Sequence, residues 1–313
     1  MASCIVLGAG LAGLTAATFL QEAGYEVTVV DKGRGVGGRM ATRRLGEGGR
    51  ADHGAQFYSV RSAEWTKWND TWLSEGVVSP WFYKSEHPRL IAHAGMSSIP
   101  KKLAAQLTVI TQERIVNIKY HAGQYTAFSE SGRSWVADTL VLTFPAPQAL
   151  TLLESSQLGI PHQEVLKSIE YAPCITVMAV LDRSTLLPSP GGMELPTGPI
   201  GWIADNLQKG ISPIPTVTIQ ANQAYSASNF ERPLDDVKAE LLSSAAPWLG
   251  QATCIESAIH RWRYSLATQK REESFFTHPE LPGLYLGGDG FGEGHVEAAF
   301  LSGFRIAQDM IGK

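Results

Sequence analysis

Gly8, Gly10 and Gly13, near the start of the chain, stand at the spacing G-x-G-x-x-G, which suits phosphate binding. The first glycine permits a tight turn, the second lets backbone approach a pyrophosphate, and the third lets a helix pack close to its strand. A phosphate seated there meets the free N–H groups and the positive dipole end of the helix. Asp31 follows at nearly the spacing, about 20 residues, from which a carboxylate reaches a ribose hydroxyl, and its charge disfavours a 2′-phosphate. This motif leaves NAD and FAD both open.

A second glycine-rich stretch, KGRGVGGRMATRR, begins immediately after Asp31. Its Gly37–Gly38 pair and Arg39 offer backbone N–H groups and a bidentate donor fork, suited to a second approach to a diphosphate. A solvated basic loop is the lesser alternative for the stretch taken alone. A third, LYLGGDGFGEGHVEAAFLSG, lies at 284–303 and combines a strand, a glycine turn carrying Asp289 and the start of a helix. Ala298, Ala299, Ser302 and Gly303 let that helix approach a cofactor or, on the plainer reading, a sheet. Strand alternation in HRWRY puts His260, Trp262 and Tyr264 on one face and Arg261 and Arg263 on the other. Trp262 and Tyr264 are candidates to wall a slot for a flat ring, with Trp202 and Asn206 of WIADN as further candidates. A structural role for these aromatics is the alternative.

The elements around these residues are legible. The apolar run Cys4–Leu7, the helical spacing of Leu11, Leu14, Ala17 and Leu20, and the β-branched run EVTVVD predict a βαβ unit. Residues 107–118 and 135–144 predict strands around a hairpin, with turns at HAGQ and SESGR. Beyond about 155, strands such as CITVMAVL and TVTIQA alternate with proline-rich loops. Leu234, Val237, Leu241 and Leu242 then predict one helix face. Most of the aromatics between Trp65 and Tyr83 are expected in the core.

With 313 residues, 44% of them hydrophobic and 18% charged, the chain can bury a sizeable core, and its net charge of −4 offers no footprint for nucleic acid. The three cysteines propose no disulfide framework, with Cys4 in a buried strand. No apolar run of about 18 residues predicts a membrane span, no secretory leader is expected, and the expected location is cytoplasmic. Neither a Ser/His/Asp pattern nor metal-ligand spacing stands out, so no metal is expected.

Together, VLGAGLAGLTAA, GVGGRMATRR, DHGAQFYS, GMSSIPKKLA, HRWRY and LYLGGDGFGEGHVEAAFLSG resemble the renalase-like branch of the FAD-dependent amine-oxidase superfamily. The resemblance is most specific in the first 60 and last 30 residues and loose over 155–255. It implies an α/β fold, α+β overall, with a discontinuous Rossmann-type FAD-binding domain (1–60, 90–154 and 270–313). The inserted sheet-based substrate domain (61–89 and 155–269) is expected to be like that of p-hydroxybenzoate hydroxylase. It further implies non-covalent FAD held by Gly8, Gly10, Ala12, Gly13, Asp31 and Lys32, then by Gly38, Arg39, Met40, His53, Gly54, Ala55 and Gln56. The backbone around Ile115 is expected to hold the adenine. Asp289, Val296, Glu297 and Ala298 complete the expected contacts, the last helix directing its N-terminus at the flavin pyrimidine edge. The implied activity is hydride transfer from isomeric dihydronicotinamides, 2- or 6-dihydroNAD(P), to the flavin, with electrons passed to oxygen to give hydrogen peroxide. Trp262, Tyr264 and Trp202 are the expected substrate-facing residues. Amine or polyene oxidation, and a flavin redox sensor without turnover, are the alternatives.

Overall fold

The computed structural model describes residues 1–84, 86–158 and 163–312. The predicted βαβ unit is present: strand Ser3–Leu7, helix Leu11–Glu22 and strand Glu26–Val30, the two strands parallel. They sit inside a six-stranded sheet. Its order is Phe276–Thr277, Leu284–Leu286, Thr139–Leu142, Ser3–Leu7, Glu26–Val30, Thr108–Ile110, and all neighbours are parallel except the first pair. A sheet with both faces covered reads as continuous apolar runs, as CIVL, EVTVV and TLVL do. This is a mixed α/β fold with a Rossmann-type dinucleotide-binding sheet.

The closing helix, His295–Ile311, lies against the opening one. A Cβ at Gly303 would overlap the carbonyl oxygen of Ala12, so the two helices approach at the distance only glycine permits. The helix Ala63–Ser74, expected with the substrate part, buries Trp65 and Trp72 in the same core as Leu14, Val29 and Phe300.

The two long strands expected around a hairpin are each divided. Thr108–Ile110 belongs to the six-stranded sheet, whereas Ile115–His121 joins Gln124–Ser129 and Ser134–Ala137 in a separate three-stranded sheet. Gln112, at φ 63°, marks the break between them. Likewise 135–144 yields Ser134–Ala137 in one sheet and Thr139–Leu142 in the other. Apolar runs that pass from one sheet to the next carry no change of periodicity at the crossing.

A five-stranded antiparallel sheet occupies the middle of the chain, in the order Gly192–Glu194, Ile200–Asp205, Thr216–Ala221, Glu170–Leu181, Cys254–Gln269. Helix Leu234–Leu249 covers one face through Val237, Leu241, Ala245 and Leu249. Leu234, expected on that face, is instead exposed in the first turn, directly after Pro233. Among the described residues no helix is long and apolar enough to cross a membrane, and no group of three or more His, Cys, Asp or Glu could hold a metal ion.

Candidate active site

Two of the three opening glycines are required by the fold itself. A Cβ on Gly8 (φ +114°) would stand 2.7 Å from Thr143 Oγ1, and one on Gly13 would overlap the Gly8 carbonyl oxygen. Gly10 is different: no atom lies within 4 Å of the position its Cβ would take. The open space is at the N-cap of the opening helix, which has no side-chain cap, so its first-turn N–H groups are left to an anion. Ala12 is buried in that first turn. The second glycine stretch folds back onto the first: Gly37 N donates to Ala9 O at 2.8 Å, and a Cβ on Gly38 would reach within 3.6 Å of Gly10 Cα.

A crevice of about 380 Å³ continues from Gly8 past Asp31, Lys32, Ile115 and Phe144. Asp31 Oδ2 accepts from Ala9 N and Oδ1 from Gly33 N, each at 2.6 Å, so its carboxylate also braces the two glycine turns against each other. Each oxygen keeps a second acceptor lobe for a hydroxyl in the crevice. A β-bulge between Ile115 and Asn117 removes Val116, another crevice residue, from the ladder. The space, the free helix end and the carboxylate fit the adenosine and diphosphate of FAD.

Arg39 and Asp289, 250 residues apart in sequence, form a bidentate pair with N–O distances of 2.6 and 2.5 Å. Arg39 also donates to the carbonyl of Tyr264 at 3.2 Å. Desolvation works against the guanidinium's charge, but Asp289 outweighs it and raises the Arg39 pKa. The pair joins the second and third glycine stretches. Met40 instead turns its side chain into the core with Met96 and Ile99.

The segment 52–56 is held from several sides. His53 N and Ala55 N donate to the carbonyls of Ala41 and Arg39. A Cβ on Gly54 would overlap the Arg39 carbonyl oxygen. From the five-stranded sheet, Thr218 Oγ1, Trp262 Nε1 and Gln220 Nε2 donate to the carbonyls of Asp52, His53 and Gly54 at 3.0, 2.6 and 2.7 Å. Gln56 Nε2 donates to the carbonyls of Asp52 and Gly54 as well, leaving its buried Oε1 without a partner. Beneath this segment Lys209 Nζ donates to Asp52 Oδ2 at 2.7 Å, both side chains fully buried. Asp52 Oδ1 accepts from Thr42 Oγ1 and Met96 N, and Lys209 lies 5.0 Å from the centroid of the Trp81 ring.

The aromatic candidates separate into two groups. Trp262 stacks on His53 at 5.3 Å between centroids, with His260 4.2 Å away, while Tyr264 meets Tyr171 edge-on at 5.8 Å. Arg261 and Arg263 lie on the opposite face against Phe230, as alternation requires. Trp202 lies apart, with two strands and the Gln220–Thr176 row between it and His260. It packs with Phe57 and Trp81 and lines a pocket of about 110 Å³ with Phe57, Phe82 and Met193. Asn206 is wholly buried, donating to Thr218 Oγ1. Burial, then the charges of His260 and Arg43, pushes the His53 pKa down to about 4, and its buried Nδ1 has no partner. Both histidines are neutral near pH 7, His260 for the same reasons of burial and Arg43.

The closing helix brings buried Ala298 and half-buried Val296 to its first turn. Glu297 faces another way: its Oε1 accepts from Arg61 N and Ser62 N at the start of helix Ala63–Ser74. Lys209, Asp52, Thr218 and Gln220 were not singled out in the sequence. A lysine in NLQKGIS gives no sign that it is buried, and only its partner's place beside HGAQ offers a hint.

Models of two families match the chain: the NAD(P)-binding Rossmann-like domain over residues 6–71 and the flavin containing amine oxidoreductase over residues 58–311. The chain is 52% identical over 52 residues to an L-amino-acid oxidase of Siganus canaliculatus, a stretch covering 16% of this chain and 10% of that one. It is 28% identical over 229 residues to a D-amino acid dehydrogenase of Neisseria meningitidis serogroup A, covering 66% and 49%. The chain thus spans half or less of the length of these curated relatives. Its fold is similar to that of cyclohexylamine oxidase from Brevibacterium oxydans, with a TM-score of 0.77, 13% identity and coverage of 99% of both chains. The chain belongs to the flavin containing amine oxidoreductase family, with FAD as its cofactor.

Proposed function

We propose that this protein is a renalase-like oxidase that takes a hydride from 2- or 6-dihydroNAD(P) and delivers the two electrons to oxygen. The balanced reaction converts the dihydronicotinamide, O2 and one proton into the oxidised nicotinamide and hydrogen peroxide. Bound FAD supplies two-electron acceptance and reoxidation by oxygen. The observation that carries the reading is the make-up of the wall beside segment 52–56: flat rings and neutral imidazoles, with each neighbouring carboxylate paired to a cation, Asp52 to Lys209, Asp289 to Arg39 and Glu194 to Lys84. Hydride donation from a dihydronicotinamide needs no base, only orientation of a flat ring and exclusion of water. His53 and Trp262 provide such a surface next to the Arg39–Asp289 pair, and Trp202 and Phe57 a second.

In this reading Gly10 and the opening helix receive the diphosphate. Asp31 takes the adenosine ribose and the backbone at 115–116 the adenine, with FAD held without a covalent bond. The start of the closing helix faces the flavin pyrimidine, where its dipole favours the negative charge of the reduced form by about 0.3–1 kcal/mol. The five-stranded sheet carries the substrate-facing residues. Oxidation of amines or amino acids is the second reading, favoured by the names of the matched relatives. Anaerobic stopped-flow mixing tests the proposal: the dihydronicotinamide isomers bleach the oxidised flavin rapidly. A flavin left yellow by them but reduced by an amine or amino acid establishes the second reading instead.

A further inference from the structure

Cations gather at the start of the closing helix. Lys270 lies against Gly294 and donates to the Glu293 carbonyl. Arg61 Nη1 stands 3.9 Å from the exposed Glu293 carboxylate. Arg89, on strand His87–Ala92, donates from Nη1 to Ser59 Oγ, and its guanidinium lies 5.0 Å from the centroid of the Phe57 ring that walls the pocket beside Trp202. His295 follows in the left-handed region, at φ 69°, which a non-glycine residue adopts at some cost. Desolvation lowers the His295 pKa, the charges of Lys270, Arg61 and Arg89 act in the same direction, and only Asp289 opposes them. That carboxylate is already engaged by Arg39.

Arg89 and Lys270 have no carboxylate within 4.0 Å among the described residues. Cations gathered without carboxylate partners raise the local positive potential and attract an anion from outside the chain. Arginine's planar fork matches the paired oxygens of a phosphate or carboxylate. The same charges disfavour a simple alkylammonium ion.

We propose that Arg89, flanked by Lys270, Arg61 and His295, forms an anion subsite of the substrate cleft that takes a phosphate or carboxylate carried by the molecule being oxidised. The inference rests on the oxidase reading above and deepens it by naming the charge the substrate must carry. The test uses flavin-loaded protein and pairs of donors that differ in one anionic group. One pair is the dihydro forms of nicotinamide mononucleotide and nicotinamide riboside; the other is L-phenylalanine and phenethylamine. In R89Q, the ratio of kcat/KM for the anionic over the non-anionic member falls about 10- to 100-fold, the range of a charge-assisted hydrogen-bonded contact. The pair that shows the fall identifies phosphate or carboxylate as the natural group. K270Q shows a smaller fall in the same pair, and R89K recovers part of the loss. Ratios unchanged in R89Q for every pair that turns over overturn the subsite.

If no donor reduces the flavin, the oxidase reading has failed and the subsite is judged separately. Inorganic pyrophosphate and benzoate are then titrated against the oxidised-flavin spectrum. Saturable perturbation in the wild type that weakens about tenfold or more in R89Q supports the site. Absence of perturbation by either anion, or equal affinity in R89Q of unchanged flavin content, removes it.

Discussion

Replacing Lys209 by Met tests whether the buried ion pair holds the proposed cofactor segment in place. Lys209 and Asp52 are both fully buried at 2.7 Å, so the variant leaves a carboxylate inside the protein with only Thr42 Oγ1 and Met96 N as donors. Removing one partner of such a pair costs about 3–5 kcal/mol. For 313 residues, an unfolding entropy of about 2.1 cal/mol/K per residue converts this to a fall in Tm of about 5–8 °C. Flavin content falls too, because Asp52 lies at the head of the 52–56 segment. The second arm is the double variant D52N/K209M, in which no charge remains buried. Its Asn can still accept from Met96 N, so it recovers part of the loss, with a coupling of about 1–3 kcal/mol in the cycle. Thermal unfolding of both single variants and the double provides the measurement. A Tm shift for K209M under about 2 °C, or strictly additive losses, refutes the reasoning.

The opening glycines should respond differently from one another. G13V drives a side chain into the Gly8 carbonyl and prevents folding, whereas G10V has room in the protein, folds, and is purified without yellow flavin. A folded G13V or a yellow G10V contradicts the cradle. Acid should expose the neutral His53. Its folded pKa of about 4 lies below the unfolded value, so the unfolded chain binds the proton first. Stability is therefore lost as pH falls from about 6.5 to 4, by about 3 kcal/mol in full. The Tm difference between wild type and H53Q, followed from pH 8 to 4, should shrink across that window; a pH-independent difference is the contrary result.

Much of this molecule is legible in its sequence because the signals are local. The turn at Gly8–Gly13, the strands beside it and the glycine loop before the closing helix are specified by neighbours within a few residues. What escaped is set by partners far along the chain. Nothing near Arg39 announces Asp289, and nothing in NLQKGIS announces Asp52. Alternation correctly separated His260 and Trp262 from Arg261 and Arg263, yet could not tell that two strands lie between them and Trp202. The single strands expected over 107–118 and 135–144 divide between sheets, and apolar periodicity is blind to which sheet a residue joins.

The contact of Gly303 with Ala12 carries a consequence for biogenesis. The opening helix is synthesised long before helix His295–Ile311, so the close contact at Gly303 forms only once that later helix has been made. Until then the βαβ unit exposes its apolar flank and its anion cradle lacks the Asp289 side. A polypeptide stalled before residue 284 therefore lacks Asp289 and the helix that covers the Ala12 turn, and it exposes the apolar surface that makes incomplete chains prone to aggregate.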